Sequence, residues 1–184
     1  VTDMSHMFYN SENLTSLDLS SFDTSKVEKM GSMLYWTSKI VSLDLTNFDT
    51  SKVEDMSSMF ANSVELKTLD LSSFDTSRVT EMNSMFSSCK DLSYLDLSKF
   101  DTSNVINMSS MFNSTNLLGY LNLGNWETNF LVNSSSFFED AGVPTFSNSD
   151  PNENLVCLNN DDPGSEGNEI TIDGNTYSCD GMSE

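Results

Sequence analysis

Residues 53–78 read VEDMSSMFANSVELKTLDLSSFDTSR, and the same pattern of letters recurs 26 residues earlier and 26 residues later. A fixed period of this length marks a chain built from repeats, and it settles the architecture before any single element is considered. Val1, Val27, Val53, Val79 and Val105 share one position, and Leu131 takes it in a sixth, decaying copy. Two methionine columns follow, Met4 to Met108 and Met7 to Met111, and they hold ten of the 11 methionines. Phe8, Leu34, Phe60, Phe86 and Phe112 come next, then Leu14, Ile40, Leu66, Leu92 and Leu118. Two leucine columns begin at Leu17 and Leu19, and an aromatic column runs Phe22, Phe48, Phe74, Phe100, Trp126. The unit is V-x-x-M-x-x-M-F-x-x-S-x-x-L-x-x-L-D-L-S-x-F-D-T-S-x.

Two periodicities coexist in it. Val-x-x-Met-x-x-Met-Phe places apolar groups at i, i+3, i+6 and i+7, which predicts one face of a short α- or 3₁₀-helix. Leu17-Asp18-Leu19 alternates in, out, in, as a half-buried strand does. Ser25 with Glu28, and Ser51 with Glu54, have the spacing of a capping box at the start of that helix. Asp-Thr-Ser between strand and helix is then a turn and cap. The apolar positions of one unit are too few to offset the entropy of ordering it, so each unit needs neighbours. Stacking copies as a solenoid, each strand ~4.8 Å from the next, turns every recurring letter into a column of like side chains.

The chain of 184 residues carries 28 Asp+Glu against 8 Lys+Arg, a net charge of −20 and a pI near 4.1. Binding to phosphate backbones or anionic lipid rests on Lys and Arg displacing counterions, so nucleic acid and bare membrane are poor partners. No apolar run approaches the ~20 residues of a membrane span. The chain opens inside a repeat, at the valine, which predicts a fragment with coils or a leader upstream.

Towards the other end the pattern decays. Ser134 and Phe137 replace the two methionines, and Val143-Pro-Thr-Phe146 reads as a shifted leucine pair. The repeat region is therefore drawn as 1–146, five copies plus a degenerate sixth, and 147–184 as an acidic C-terminal cap. In that cap Ile170 to Tyr177 reads as a hairpin around Asp173-Gly174. Cys157 and Cys179 bracket it, and a disulfide between them would stabilise the cap by ~3 kcal/mol in an oxidising compartment. Cys89 sits instead in the small-residue column of Ser11, Thr37, Ser63 and Thr115 and reads as buried.

LDLSSFDTSKVxxMxxMF resembles the repeat of the BspA-type leucine-rich-repeat surface proteins of bacteria and some protists, and the likeness covers about residues 1 to 138. It implies an α/β fold, a right-handed leucine-rich-repeat-like solenoid with parallel strands on one face and short helices or 3₁₀ turns on the other. It further implies an extracellular or cell-surface location and a part in adhesion to host proteins or to other cells.

Several residue sets bear on chemistry. Asp18, Asp44, Asp70 and Asp96, followed by Asn122, occupy the strand centre and point away from the core. Adjacent carboxylates ~4.8 Å apart repel by about 1 kcal/mol in water, so the row is either a solvated face that discourages edge-to-edge aggregation or a stripe that attracts basic ligands. Tyr94 and Tyr120 beside it favour a binding surface. The predicted binding residues are thus Asp18, Asp44, Asp70, Asp96, Tyr94 and Tyr120.

A second acidic column, Asp23, Asp49, Asp75, Asp101 and Glu127, lies in the turn and is read as structural, through Asx-type bonds to nearby backbone N–H groups. Met-x-x-Met beside His6 has the soft donors that select Cu(I), but the methionines fall on the apolar face and read as core. With 1 histidine in the chain, no Ser–His–Asp or Cys–His set assembles, and an enzyme is not expected.

No cofactor is expected. Asp150, Asn152, Asn154 and Asp161 match EF-hand calcium positions only in part, because Leu155 stands where that loop requires glycine. The expected partner is a protein or glycan on a host or neighbouring cell, and the rival reading is a spacer or stalk with no ligand of its own.

Overall fold

The computed structural model describes residues 1–123, 126–127 and 130–141, together with the backbone of 155–157, 170–172 and 175–177. Its main sheet is parallel and takes its strands in chain order: β1 (Ser42–Leu43), β2 (Thr68–Leu69), β3 (Tyr94–Asp96), β4 (Tyr120–Asn122) and β5 (Leu155–Cys157). The register through β4 is the sequence period itself, with Ser42 opposite Thr68, Thr68 opposite Tyr94 and Tyr94 opposite Tyr120. A second parallel ladder joins Asp3, Lys29, Asp55, Glu81, Asn107 and Asn133, each one repeat apart. Two ladders on one period stack successive repeats as coils, in register.

The strands are short because the sequence ends them. Leu69 and Leu71 point inward and are buried while Asp70 between them is exposed. The next residue, Ser72, turns its backbone N–H onto Asp70 Oδ1 at 2.9 Å, and Phe74 N–H then closes a turn on the Leu71 carbonyl. Extended backbone cannot continue through such an Asx turn.

The expected helix is absent from the described residues, and its place is taken by consecutive β-turns. In the third coil Met59, Ala61 and Ser63 donate to the carbonyls of Met56, Ser58 and Phe60, three residues back. The alternate groups, Met56, Ser58, Phe60 and Asn62, donate instead to Glu81, Asn83, Met85 and Ser87 of the next coil at 2.8–3.0 Å. A helix keeps all these bonds within its own segment. Here half of them cross to the neighbour, so the turn segments cohere laterally, as strands do. The third residue of every second turn has positive φ, 54° at Ser58 and 62° at Asn62, as a type II turn requires and a helix forbids. The apolar spacing at i, i+3, i+6 and i+7 fits a three-residue turn as well as a helix.

The capping boxes vanish with the helix. Ser25 and Ser51 give both N–H and hydroxyl to Asp23 and Asp49, and Glu54 pairs with Arg78 at 2.6 Å across two half-exposed side chains.

One continuous core runs through the stack. Val53, Met56, Met59, Phe60 and Leu66 are each 0% exposed, as are their counterparts in the next two coils. Equivalent rings lie face to face, Phe60 on Phe86 at 5.7 Å and Phe86 on Phe112 at 5.5 Å. Residues 130–141 extend this pattern, for Phe112 N–H bonds the Phe137 carbonyl and Phe137 is 1% exposed. Beyond them the period lapses. Tyr120 on β4 pairs with Leu155 on β5, 35 positions on, and the Val143–Phe146 stretch lies outside the described residues. Strands β6 (Ile170–Ile172) and β7 (Asn175–Tyr177) pair antiparallel, with Ile172 opposite Asn175.

Candidate recognition face

Strand alternation sends Ser42, Thr68, Tyr94 and Asp44, Asp70, Asp96 outward, and all six are exposed. Asp18 is exposed on the same column in the first coil, whereas Asn122, which follows Asp96 in register, is 4% exposed and ends the carboxylate row. Each aspartate holds one oxygen locally. Oδ1 accepts the N–H of the residue two places on, Ser20 from Asp18, Thr46 from Asp44, Ser72 from Asp70 and Ser98 from Asp96, at 2.9–3.1 Å.

The Ser20 and Thr46 hydroxyls add a second bond of 2.7 Å to Asp18 and Asp44. Bonds of this kind, the hydroxyl's first and the amide's second, hold the carboxyls of Asp18, Asp44 and Asp70 below the usual carboxylate value, so these three are ionised at neutral pH. Asp18 and Asp70 oppose the shift at Asp44 by their own charge.

Tyr94 and Tyr120 stack with ring centroids 4.4 Å apart and planes 4° from parallel. Tyr94 is half exposed and Tyr120 partly buried. A groove of about 580 Å³ opens beside them, lined on its outer surface by Ser42, Thr68, Asp70, Tyr94, Asp96 and Lys99. Of the six residues chosen from the sequence, Asp70, Asp96 and Tyr94 therefore meet in one groove. Tyr120 backs it through the ring stack, and Asp18 and Asp44 continue the carboxylate row outside its lining.

The turn aspartates use the same chemistry. Asp23, Asp49, Asp75 and Asp101 each accept the N–H of the serine two places on, and Asp3 and Asp55 do so at the third corner of the coil, with Asn107 and Asn133 in their place further along. Asp-x-Ser/Thr marks two corners of each of the first four repeats, and the third corner carries it at Asp3 and Asp55.

A threonine column also escaped notice. Thr24, Thr50, Thr76 and Thr102 are at most 2% exposed, and each hydroxyl donates to a carbonyl of the next coil, Asp49, Asp75, Asp101 and Glu127. A third feature, visible as Tyr9 and Tyr35 one period apart, is an aromatic cluster on the turn face. Tyr9 stacks on Tyr35 at 4.8 Å, with His6 and Trp36 at its flanks. Trp36 has φ of 60° in a column otherwise held by Asn and Ser through Ser114, an uncommon conformation for so bulky a residue.

Cys89 is fully buried, gives its thiol to the Phe60 carbonyl, and burial pushes that thiol up to about 12. The inner methionines are core residues, and His6 is exposed beside Tyr9. Among the described residues no three His, Cys, Asp or Glu side chains are grouped to hold a metal ion, and no helix is long and apolar enough to cross a membrane. Cys179, the side chain of Cys157 and the calcium positions Asp150, Asn152, Asn154 and Asp161 lie outside the described residues.

Stacked coils in register, with an ionised and aromatic strand face, define a repeat protein whose outer surface is set column by column. The chain belongs to the family described as Mycoplasma protein of unknown function, DUF285, whose model matches residues 1–93 and again 37–150. No curated protein and no solved structure matches it.

Proposed function

We propose that this chain is a non-catalytic recognition or adhesion module of the extracellular space or cell surface, a right-handed leucine-rich-repeat-like solenoid of the BspA type that binds a protein or glycan on a host or neighbouring cell. The observation that carries the reading is the groove in which Asp70, Asp96 and Tyr94 meet on a face otherwise built of small polar side chains. An exposed tyrosine is a common interface hot spot, and carboxylates beside it supply charge complementarity for a basic partner. A strongly acidic surface steers basic partners and repels nucleic acid.

The spacer reading is supported by the Asx bonds, which give every strand aspartate a local structural task. The two part company on the second carboxylate oxygen, which a stalk leaves to water. Capture of host matrix proteins or of neighbouring cells on immobilised chain tests them, with the Asp44→Ala, Asp70→Ala and Asp96→Ala triple variant as control. Recognition through this face predicts capture that the triple variant loses while its melting curve stays cooperative. Capture that survives the triple variant rules the face out, and no capture from any source favours the stalk.

A further inference from the structure

We infer that the strand-face groove is a receptor for an arginine side chain presented by a protein partner, with the free face of Tyr94 as the stacking platform and the carboxylates of Asp70 and Asp96 as the counter-charge. The inference rests on the recognition reading and narrows its partner class.

The geometry starts from the column. Tyr94 lies between Thr68 and Tyr120 in the parallel register. One face of its ring is covered, since Tyr120 stacks on it at 4.4 Å and 4°. The next side chain on the other side is threonine, too short to cover a phenol ring, and Tyr94 is 50% exposed. The groove opens on that side, for its lining takes in Ser42 and Thr68 but not Tyr120.

A planar cation over an aromatic face is attracted by the ring quadrupole, and guanidinium is planar, weakly hydrated and able to stack and hydrogen-bond at once. Asp70 and Asp96 line the same space, against one ammonium there, Lys99. Their Oδ1 atoms are taken by the Ser72 and Ser98 backbone N–H groups. That bond occupies one oxygen of each carboxylate and leaves Oδ2 to accept from a ligand, which suits a forked donor. Lysine would satisfy the charge but gain far less from the ring, and a sugar would gain little from the carboxylates' charge.

The test uses three acetylated, amidated heptapeptides in which Ser alternates with Arg, with Lys or with Gln. Each is titrated into the intact chain by calorimetry and two-dimensional NMR at 0.15 M salt. The Arg peptide is expected to bind more tightly than the Lys peptide, and the Gln peptide not at all. Tyr94→Thr, which installs the residue already present one coil earlier, should weaken the Arg peptide about fivefold and leave the Lys peptide within twofold. Tyr94→Phe, which keeps the ring, should restore the wild-type value. Asp70→Asn with Asp96→Asn should weaken both basic peptides about tenfold.

Equal binding of Arg and Lys peptides with no response to Tyr94→Thr would overturn the arginine assignment, even where capture of a whole partner still depends on the aspartate row and the recognition face survives. Peptide shifts confined to residues outside the groove would overturn it as well. Loss of all cell and protein capture, with the Arg peptide still discriminating at Tyr94, would refute the adhesion reading alone.

Discussion

Thr50→Val removes one hydroxyl from the core and changes almost nothing else in shape. Thr50 is 1% exposed, its hydroxyl donates to the Asp75 carbonyl at 2.9 Å, and the same oxygen accepts the Asp75 N–H at 2.8 Å. The valine variant leaves two backbone groups of the next coil without partners at a point where no strand ladder supports them. An unsatisfied buried group costs about 1–3 kcal/mol. Two such groups would cost about 2–6 kcal/mol; Asp75 itself is exposed, so water reaches part of its backbone and the pair should cost about 2 kcal/mol, the low end. For a chain of this size, roughly 2–4 °C of melting temperature accompanies each kcal/mol, so the expected drop is about 4–8 °C.

Thr50→Ser keeps the hydroxyl and loses a methyl worth about 0.8 kcal/mol. Circular dichroism melts and urea titrations followed by the fluorescence of Trp36 and Trp126 should therefore rank wild type above Thr50→Ser, and Thr50→Ser above Thr50→Val. A valine variant as stable as wild type, or more stable than the serine variant, would refute the argument that the threonine column ties the coils together.

Two further outcomes follow from burial and charge. Met59, 0% exposed, and Met7, 43% exposed, occupy the same repeat position; urea unfolding should show Met59→Ala losing about 2–5 kcal/mol and Met7→Ala less than about 1. The carboxyls of Asp18, Asp44 and Asp70 lie below their ordinary value of 3.8 in the folded chain. Their contribution to stability is thus present above the unfolded value and disappears as pH falls through the depressed folded values. Carboxyl carbon NMR titration should find these three below the ordinary aspartate range. The gap in melting temperature between wild type and Asp44→Ala should close as pH falls below the unfolded value and through the depressed folded one, and a gap that widens on acidification would contradict the assignment.

How much was legible in the letters differs from element to element. The identity of the core needed no coordinates, because Val53, Met56, Phe60 and Leu66 recur at a fixed spacing and a stack in register is what turns that recurrence into burial. Strand polarity was equally plain in Leu69-Asp70-Leu71. The mistaken element was the helix. Apolar spacing of three and four is shared by helices and by chains of three-residue turns, and what separates them is the destination of alternate N–H groups such as those of Ser58 and Asn62, bonded 25 positions on. The Asx bonds of Asp23, Asp49, Asp75 and Asp101 were legible in the turn, whereas the same bonds at Asp18, Asp44, Asp70 and Asp96 were read only as a charged stripe.

The sequence by itself thus determined the period, the columns and the sign of the surface, since these depend on residue type and spacing alone. Only the tertiary structure decided that the turn segments cohere sideways, that a hydroxyl on Thr50 completes the backbone of another coil, and that Tyr94 turns one ring face to Tyr120 and the other to an acidic groove. Each of these is a relation between residues about 26 positions apart, and its energy depends on where the neighbouring coil puts its polar groups, which no single repeat encodes.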